Sequence, residues 1–342
     1  MVGRRMLALI DSRLRLAFPE LQNQPFGGRS VTLVGDFGQL PPVLRRNSLS
    51  NDGMKVYSLF REVYQLDIIC SQSGHSIEQR QFRDILMRLR DGDSTLDDWR
   101  TLKSCFKGTL SDDSQFSDAI CITPRRIDVD EINYDKLRSL NVPVARIRAI
   151  HTGGSEASKA DSDLAKGLES QLLLARGARV MLRANLCVKL GLVNSSIGTV
   201  DTILFEENQG PPSLPIAVLV EFDNYTGPAI TSTEGKRVVP VTPIRRTWET
   251  NTVTCSRLQL PLCLTWAITV HKSRGLTLPK AFIDLGPKEY ASGLSFVAIS
   301  RVGALKNILF KPFSLDRLQL IRNCKRLQER KEEESRLRSM IH

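Results

Sequence analysis

Four aliphatic or β-branched residues in succession, Val31-Thr32-Leu33-Val34, run straight into Gly35-Asp36-Phe37-Gly38-Gln39-Leu40-Pro41-Pro42-Val43, and no other stretch restricts the fold as tightly. An unbroken apolar run suits a strand covered on both faces, as in a parallel sheet, and Gly35 lets the backbone leave it tightly. Asp36 and Gln39 then fall at the carboxyl end of the strand. Open parallel sheets bind ligands at that edge, so a carboxylate and an amide there are candidates for phosphate or metal-water contacts. An ordinary strand followed by a proline-containing turn accounts for the same residues equally well.

The 342 residues suffice for about two domains with real cores, and a hydrophobic content of 41% agrees. A net charge of +11 favours a polyanionic partner, because Lys and Arg release counterions when they meet a phosphate backbone. The basic residues are spread along the chain, Arg125-Arg126, Arg245-Arg246 and Lys272 among them, which favours a folded groove over a flexible arm. Seven cysteines (Cys70, Cys105, Cys121, Cys187, Cys255, Cys263, Cys324) include no CxxC pair and no zinc-finger spacing to histidine, so no metal site is expected. Their odd number points to reduced, mostly buried thiols and an intracellular setting. No apolar run approaches the roughly 20 residues that span a bilayer, so a soluble chain without a membrane partner is expected.

Apolar spacing over residues 2–18 predicts an amphipathic helix, and further helices are expected near 54–63, 77–90, 95–104 and 128–140. Residues 119–123 read as a short buried strand, and 151–166, rich in Gly, Ser and Asp, as a loop. Short β runs at 179–182, 198–205, 216–222, 238–244 and 247–259 suggest a small barrel or sandwich. A helix is expected to begin at 264–270, followed by a strand at 281–285, a helix at 294–301, a strand at 308–310 and a closing helix at 314–338. An α/β unit therefore brackets an inserted β module.

Two further segments carry chemistry. In Trp266-Ala267-Ile268-Thr269-Val270-His271-Lys272-Ser273-Arg274-Gly275-Leu276-Thr277-Leu278, the polar group His271, Lys272 and Ser273 precedes Gly275, where backbone N–H groups and an ammonium can meet phosphates. A helix C-cap, with Gly275 ending the helix and Lys272 favouring its dipole, is the plainer account. Leu294 to Val302 runs apolar and then presents Ser300 and Arg301. A guanidinium fixed at the end of a packed element suits charge on a transferring phosphoryl group, although an Arg in that place is commonly only solvated.

The three segments, in this order and separation, resemble the Pif/RecD branch of superfamily 1 DNA helicases, Pif-type members above all, over nearly the whole chain. The resemblance implies an α/β, RecA-like P-loop NTPase helicase fold. Residues 1–115 would be part of a first RecA-like domain, 116–178 with 260–342 a second, and 179–259 an inserted β-barrel module that includes Gly191 to Thr199. Gly35 to Val43 is similar to motif III, which makes Gln39 a γ-phosphate sensor, Gly35 and Asp36 nucleotide contacts, and Pro41 and Pro42 neighbours of single-stranded DNA. Phe37 suits either DNA or the core. Thr269 to Thr277 is similar to motif V, implying DNA contacts by His271, Lys272, Ser273 and Thr277 and a nucleotide contact at Gly275. Val297 to Arg301 is similar to motif VI, whose Arg301 would face the γ-phosphate as a catalytic group beside Gln39. ATP and Mg²⁺ are the implied cofactors, and 5′ to 3′ movement on single-stranded DNA the implied activity of a monomer. The implied setting is the nucleus rather than the mitochondrion, in a family that spans telomere, mitochondrial and replication-fork maintenance.

The chain also departs from that pattern. It contains no GxxxxGK[ST] phosphate loop, and the Mg²⁺-binding Asp-Glu pair of the family would fall just before Met1. Ser71-Gln72 stands where an Arg-Gln pair is usual, and Arg274 replaces a Gln in motif V, adding charge and losing an amide acceptor. A truncated copy with little or no autonomous ATPase is the resulting expectation. The strand at 31 would then lack neighbours and show exposed edges. The other functions to weigh are a non-catalytic protein that binds single-stranded nucleic acid, and a module that docks on an intact helicase or replication and repair factor.

Overall fold

A computed structural model describes residues 2–40, 51–66, 68–110, 112–250 and 253–341, so the expected DNA contacts Pro41 and Pro42 lie outside the described residues. In chain order the helices are α1 (Arg4–Ala17), α2 (Asn51–Tyr57), α3 (Ile77–Asp91), α4 (Leu96–Lys103), α5 (Arg126–Ser139), α6 (Gly154–Lys159), α7 (Leu294–Ile299), α8 (Leu315–Gln319) and α9 (Lys325–Arg338). They belong to two compact units, Met1–Ser117 with Val270–His342, and Asp118–Thr269.

In the first unit, Phe82, Ile85, Leu86 and Leu89 recur at helical spacing on α3 and are buried, so one face of the helix joins the core. Ser76 caps its start by accepting from Gln79 N–H, and Gly92, at φ +76°, ends it in the left-handed region that favours glycine. α4 opens with a capping box in which the Thr95 hydroxyl and the Asp98 carboxylate each accept from the other's backbone N–H. Asp98 also takes a two-pronged bond from Arg88 and ties α4 to α3. Strands Ala281–Ile283 and Ile308–Phe310 pair in parallel. Phe310 packs with Phe106 and Phe313, and Trp99 meets Phe106 edge-on, so an aromatic cluster joins α4 to this strand pair. A smaller core holds α1 and α2 together through Leu7, Phe26 and Val56.

The expected buried strand at 31–34 is not formed. Val31 to Gly35 has no regular structure, and Val34 is 85% exposed. An extended segment becomes a strand only when neighbours take its N–H and C=O groups, and among the described residues no strand pairs with this one. Strand-type side chains satisfy half of the requirement, and without a ladder only Val31 keeps a partly buried place, against the α1–α2 core.

The second unit opens with Ile120–Thr123, wholly or nearly buried and parallel to Ala267–Thr269. Asn133 on α5 clamps the latter strand, its side chain accepting from Ala267 N–H and donating to Ala267 C=O. Ala267 to Thr269 is thus strand, not part of a helix. A short buried apolar run has no periodicity that separates the two, and pairing with Ile120–Thr123 decides it. The expected β module is a six-stranded antiparallel sheet, ordered Leu262–Leu264, Arg179–Leu182, Ile197–Leu204, Ala217–Phe222, Arg237–Val241 and Ile230–Thr231. Val180, Leu182, Val200, Val218, Val220 and Val241 fill its core. The expected run 247–259 divides into a hairpin, Ile244–Glu249 with Thr254–Gln259, and Ile150–Thr152 completes that sheet. The expected loop at 151–166 instead holds the end of this strand and the short helix α6.

Candidate functional site

Asp36 to Gln39 forms a tight turn in the first unit. Asp36 Oδ1 accepts from Gly38 N–H at 2.8 Å and the Asp36 carbonyl from Gln39 N–H at 3.2 Å. Leu40 anchors the turn in the core at 1% exposure, while the Gln39 side chain is exposed. The Asp36 carboxylate is also paired with Arg90 Nη2 at 2.9 Å, so it organises the turn and has less capacity left for a nucleotide. Gly35 lies in open space at the start of this turn.

The turn rests against the start of α7, the helix that Arg301 follows. Gly293, the N-terminal residue before α7, has φ +79°, and any Cβ there would collide with the Gly38 carbonyl oxygen. Glycine is required at 293 for two reasons, backbone conformation and proximity. Gly293→Ala is expected to cost about 1–3 kcal/mol in unfolding free energy, with the added methyl displacing the 36–39 turn. Urea unfolding checks the first part and faster amide exchange at Gly38 the second; a variant matching wild type in both would refute the close approach.

Beyond the other end of α7, Arg301 is half-buried and, among the described residues, bonded only to neutral groups. Its Nε donates to the Val297 carbonyl at 2.8 Å, Nη2 to Ser300 Oγ at 2.8 Å, and Nη1 makes longer contacts with the carbonyls of Ser273 and Leu276. Among the described residues no carboxylate pairs with it, and burial pushes its pKa below the ordinary arginine value. A desolvated guanidinium, still charged and without a counter-ion, is electrostatically suited to an oxyanion. Gln72, 4% exposed, holds this end of the segment by donating to the carbonyls of Ser300 and Val302, and Gln79 does the same to Gly303. The position where an Arg-Gln pair was expected is therefore a brace for the Arg301 segment.

Residues 270–275 are a series of turns after a strand, not the C-cap of a helix. Ser273 is fully buried, and its hydroxyl donates to the Val270 carbonyl at 2.9 Å. This commits the hydroxyl to a bond inside the turn. Arg274 Nε bonds the His271 carbonyl, Gly275 takes φ +78° at the exposed apex, and Thr277 is exposed. His271 and Lys272 are half-buried. Burial, with a smaller contribution from Arg274, lowers the His271 pKa, so the ring is neutral at pH 7 and the positive charge of this turn comes from Lys272 and Arg274. Leu278 N–H then bonds the Arg301 carbonyl at 2.8 Å.

The structure thus joins the 270–278 turns to Arg301, and α7 joins Arg301 to the turn bearing Gln39. Gln72, noted in the sequence only within Ser71-Gln72, completes the arrangement together with Arg90 and Gly293, which were not singled out there. Only Gly293, preceding an apolar run that begins at Leu294, carried a local signal. Among the described residues no three His, Cys, Asp or Glu side chains stand together as a metal site.

The family model of the PIF1-like helicases matches residues 1–99. Over 293 residues, 84% of this chain, the sequence is 30% identical to the ATP-dependent DNA helicase PIF1 of Homo sapiens. The chain belongs to the PIF1-like helicase family. It spans 41% of that human relative's length. A Pif1 structure described as two coordinating helicases unwinding forked double-stranded DNA is 25% identical, has a TM-score of 0.68, and is matched over 98% of this chain and 72% of its own. The Pif1 helicase of Candida albicans, 24% identical with a TM-score of 0.70 and coverage of 96% and 75%, shares the fold. The α/β architecture is that of a RecA-like helicase, and the three segments of this PIF1-like chain meet within one unit of it.

Proposed function

We propose that this chain is the phosphate-sensing and strand-contacting portion of a Pif-type, ATP-dependent DNA helicase. By itself it binds single-stranded DNA and does not turn over ATP at a helicase's rate. The observation that carries the reading is Arg301, a half-buried guanidinium whose partners among the described residues are all neutral, fixed beside the 270–278 turns. In the assembled motor Arg301 and Gln39 would face the γ-phosphate of ATP, Arg301 as fixed charge and Gln39 as an exposed amide. The described residues do not fit Mg²⁺ in the same way: Asp36 is paired with Arg90, and Glu289 is bonded to Ser295 and Arg317.

The expected domains, 1–115, 116–178 with 260–342, and the β module at 179–259, remain part of this proposal, as does work on DNA in the nucleus or mitochondrion. Lys272, Thr277 and the neutral ring of His271 supply the strand contacts, backbone-directed and indifferent to sequence.

Fluorescence anisotropy with a labelled oligothymidylate tests the reading. Affinity is expected to fall linearly in log–log form with salt, at about 0.7 per phosphate neutralised, and Lys272→Ala to lower that slope by roughly 0.7. Absent or salt-independent binding would remove the strand-contacting role and favour a module that docks on another protein. A slope unchanged in Lys272→Ala would place the contact elsewhere.

A further inference from the structure

Arg90 is almost enclosed, with 14% of its side chain exposed, and it serves three carboxylates at once. Nη2 lies 2.9 Å from Asp36 Oδ1 and 2.5 Å from Glu334 Oε1, and Nη1 bonds Glu334 Oε2 at 3.3 Å and Asp91 Oδ1 at 3.1 Å. Asp36 belongs to the turn that presents Gln39, Arg90 to the last turn of α3, and Glu334 to α9. Gly38 gives the guanidinium its seat, since a Cβ at that position would collide with the Arg90 side chain. Arg330, another α9 residue, reaches back to Asp91 at 2.7 Å, and Tyr57 on α2 donates to Glu333 at 2.9 Å. The helix is thereby fixed at several points to the elements around the turn.

We infer that Arg90 is the positioning residue of the Asp36–Gln39 turn and that Glu334, contributed by α9, sets how firmly it holds. The guanidinium is planar and forked, so it can engage two carboxylates in fixed directions, which a lysine ammonium cannot do. Asp36 spends one oxygen on Gly38 N–H and on Arg90 together, so losing Arg90 frees the carboxylate to rotate and loosens the bond that closes the turn. α9, with its run of charged residues, acts here as an arm that keeps Arg90 aimed. The inference depends on the proposed function only for what Gln39 then meets; the positioning itself is a property of this chain alone.

Site-resolved amide exchange on the full chain tests it. Arg90→Gln and Asp36→Asn, the second of which keeps the Asx turn, are each expected to speed exchange at Gly38 and Gln39 about tenfold, the weight of one charge-assisted hydrogen bond. The double variant is expected to exchange no faster than either single one, because both remove the same link. Glu334→Gln is expected to give about a threefold rise, and Arg90→Lys a rise between wild type and Arg90→Gln. Additive effects in the double variant, or a rise spread evenly through α3, would overturn the inference, since general destabilisation predicts both. No change in Glu334→Gln would overturn the part assigned to α9. Oligonucleotide binding by the wild-type chain is read separately, so its failure would refute the proposed function and leave the exchange result standing.

Discussion

Purified as these 342 residues and given ATP, Mg²⁺ and single-stranded DNA, the protein is expected to hydrolyse ATP at least about 10³-fold more slowly than a complete Pif-type relative. The sequence contains no GxxxxGK[ST], so backbone N–H groups that would cradle the β- and γ-phosphates are not supplied by this polypeptide. Among the described residues Asp36 is committed to Arg90, and Glu289 to Arg317 and Ser295. Arg301 and Gln39 remain, and in the proposed role these would stabilise or sense charge that another element holds in place. Turnover is measured by phosphate release with and without oligonucleotide, using Arg301→Ala as the background. DNA-stimulated release at a relative's rate, abolished by Arg301→Ala, would show that the phosphate cradle is built from residues other than those of a phosphate loop.

Arg257→Ala is expected to lower the unfolding free energy by about 4 kcal/mol. Arg257 is fully buried in the second unit and donates to the carbonyls of Leu168 at 2.8 Å, Ala157 at 2.9 Å and Ala160 at 2.7 Å, with a longer contact to His151 Nδ1. Burial lowers its pKa, and Trp248 lies 5.8 Å from the guanidinium. One side chain thus satisfies α6 and the segment after it, which would otherwise bury unpaired carbonyls. Each lost donor costs roughly 1–3 kcal/mol, offset in part by relief from burying a charge. Arg257→Met separates volume from bonding, because it fills the space without donating. Urea unfolding is the measurement. A loss below about 1 kcal/mol in the alanine variant would mean that water replaces the guanidinium at little cost.

Where burial and periodicity act within one element, the fold could be read from the sequence. The helices expected near 77–90 and 95–104 are α3 and α4, the first with Phe82, Ile85, Leu86 and Leu89 on its buried face, the second opening at Thr95. Where structure depends on a distant partner, it could not. Val31 to Val34 has every local property of a strand and no ladder, whereas Ala267 to Thr269 becomes a strand because residues 120–123 lie beside it. The site divides in the same way. Gln39 and Arg301 announced themselves by side-chain type and place in a motif. The inward rotation of Ser273 is a matter of turn geometry, and the link from Arg90 to Asp36 spans 54 residues that share no local pattern.

The seating of Gly38 against Gly293 has a mechanical consequence. α7 is six residues long, a rod of about 9 Å, too short to bend appreciably. Its near end bears on the turn that presents Gln39, and its far end carries Arg301, whose Nε is bonded to the carbonyl of Val297 within the same rod. A displacement at Gly38 is therefore expected to shift the guanidinium as well, the turn and Arg301 standing at opposite ends of one short helix.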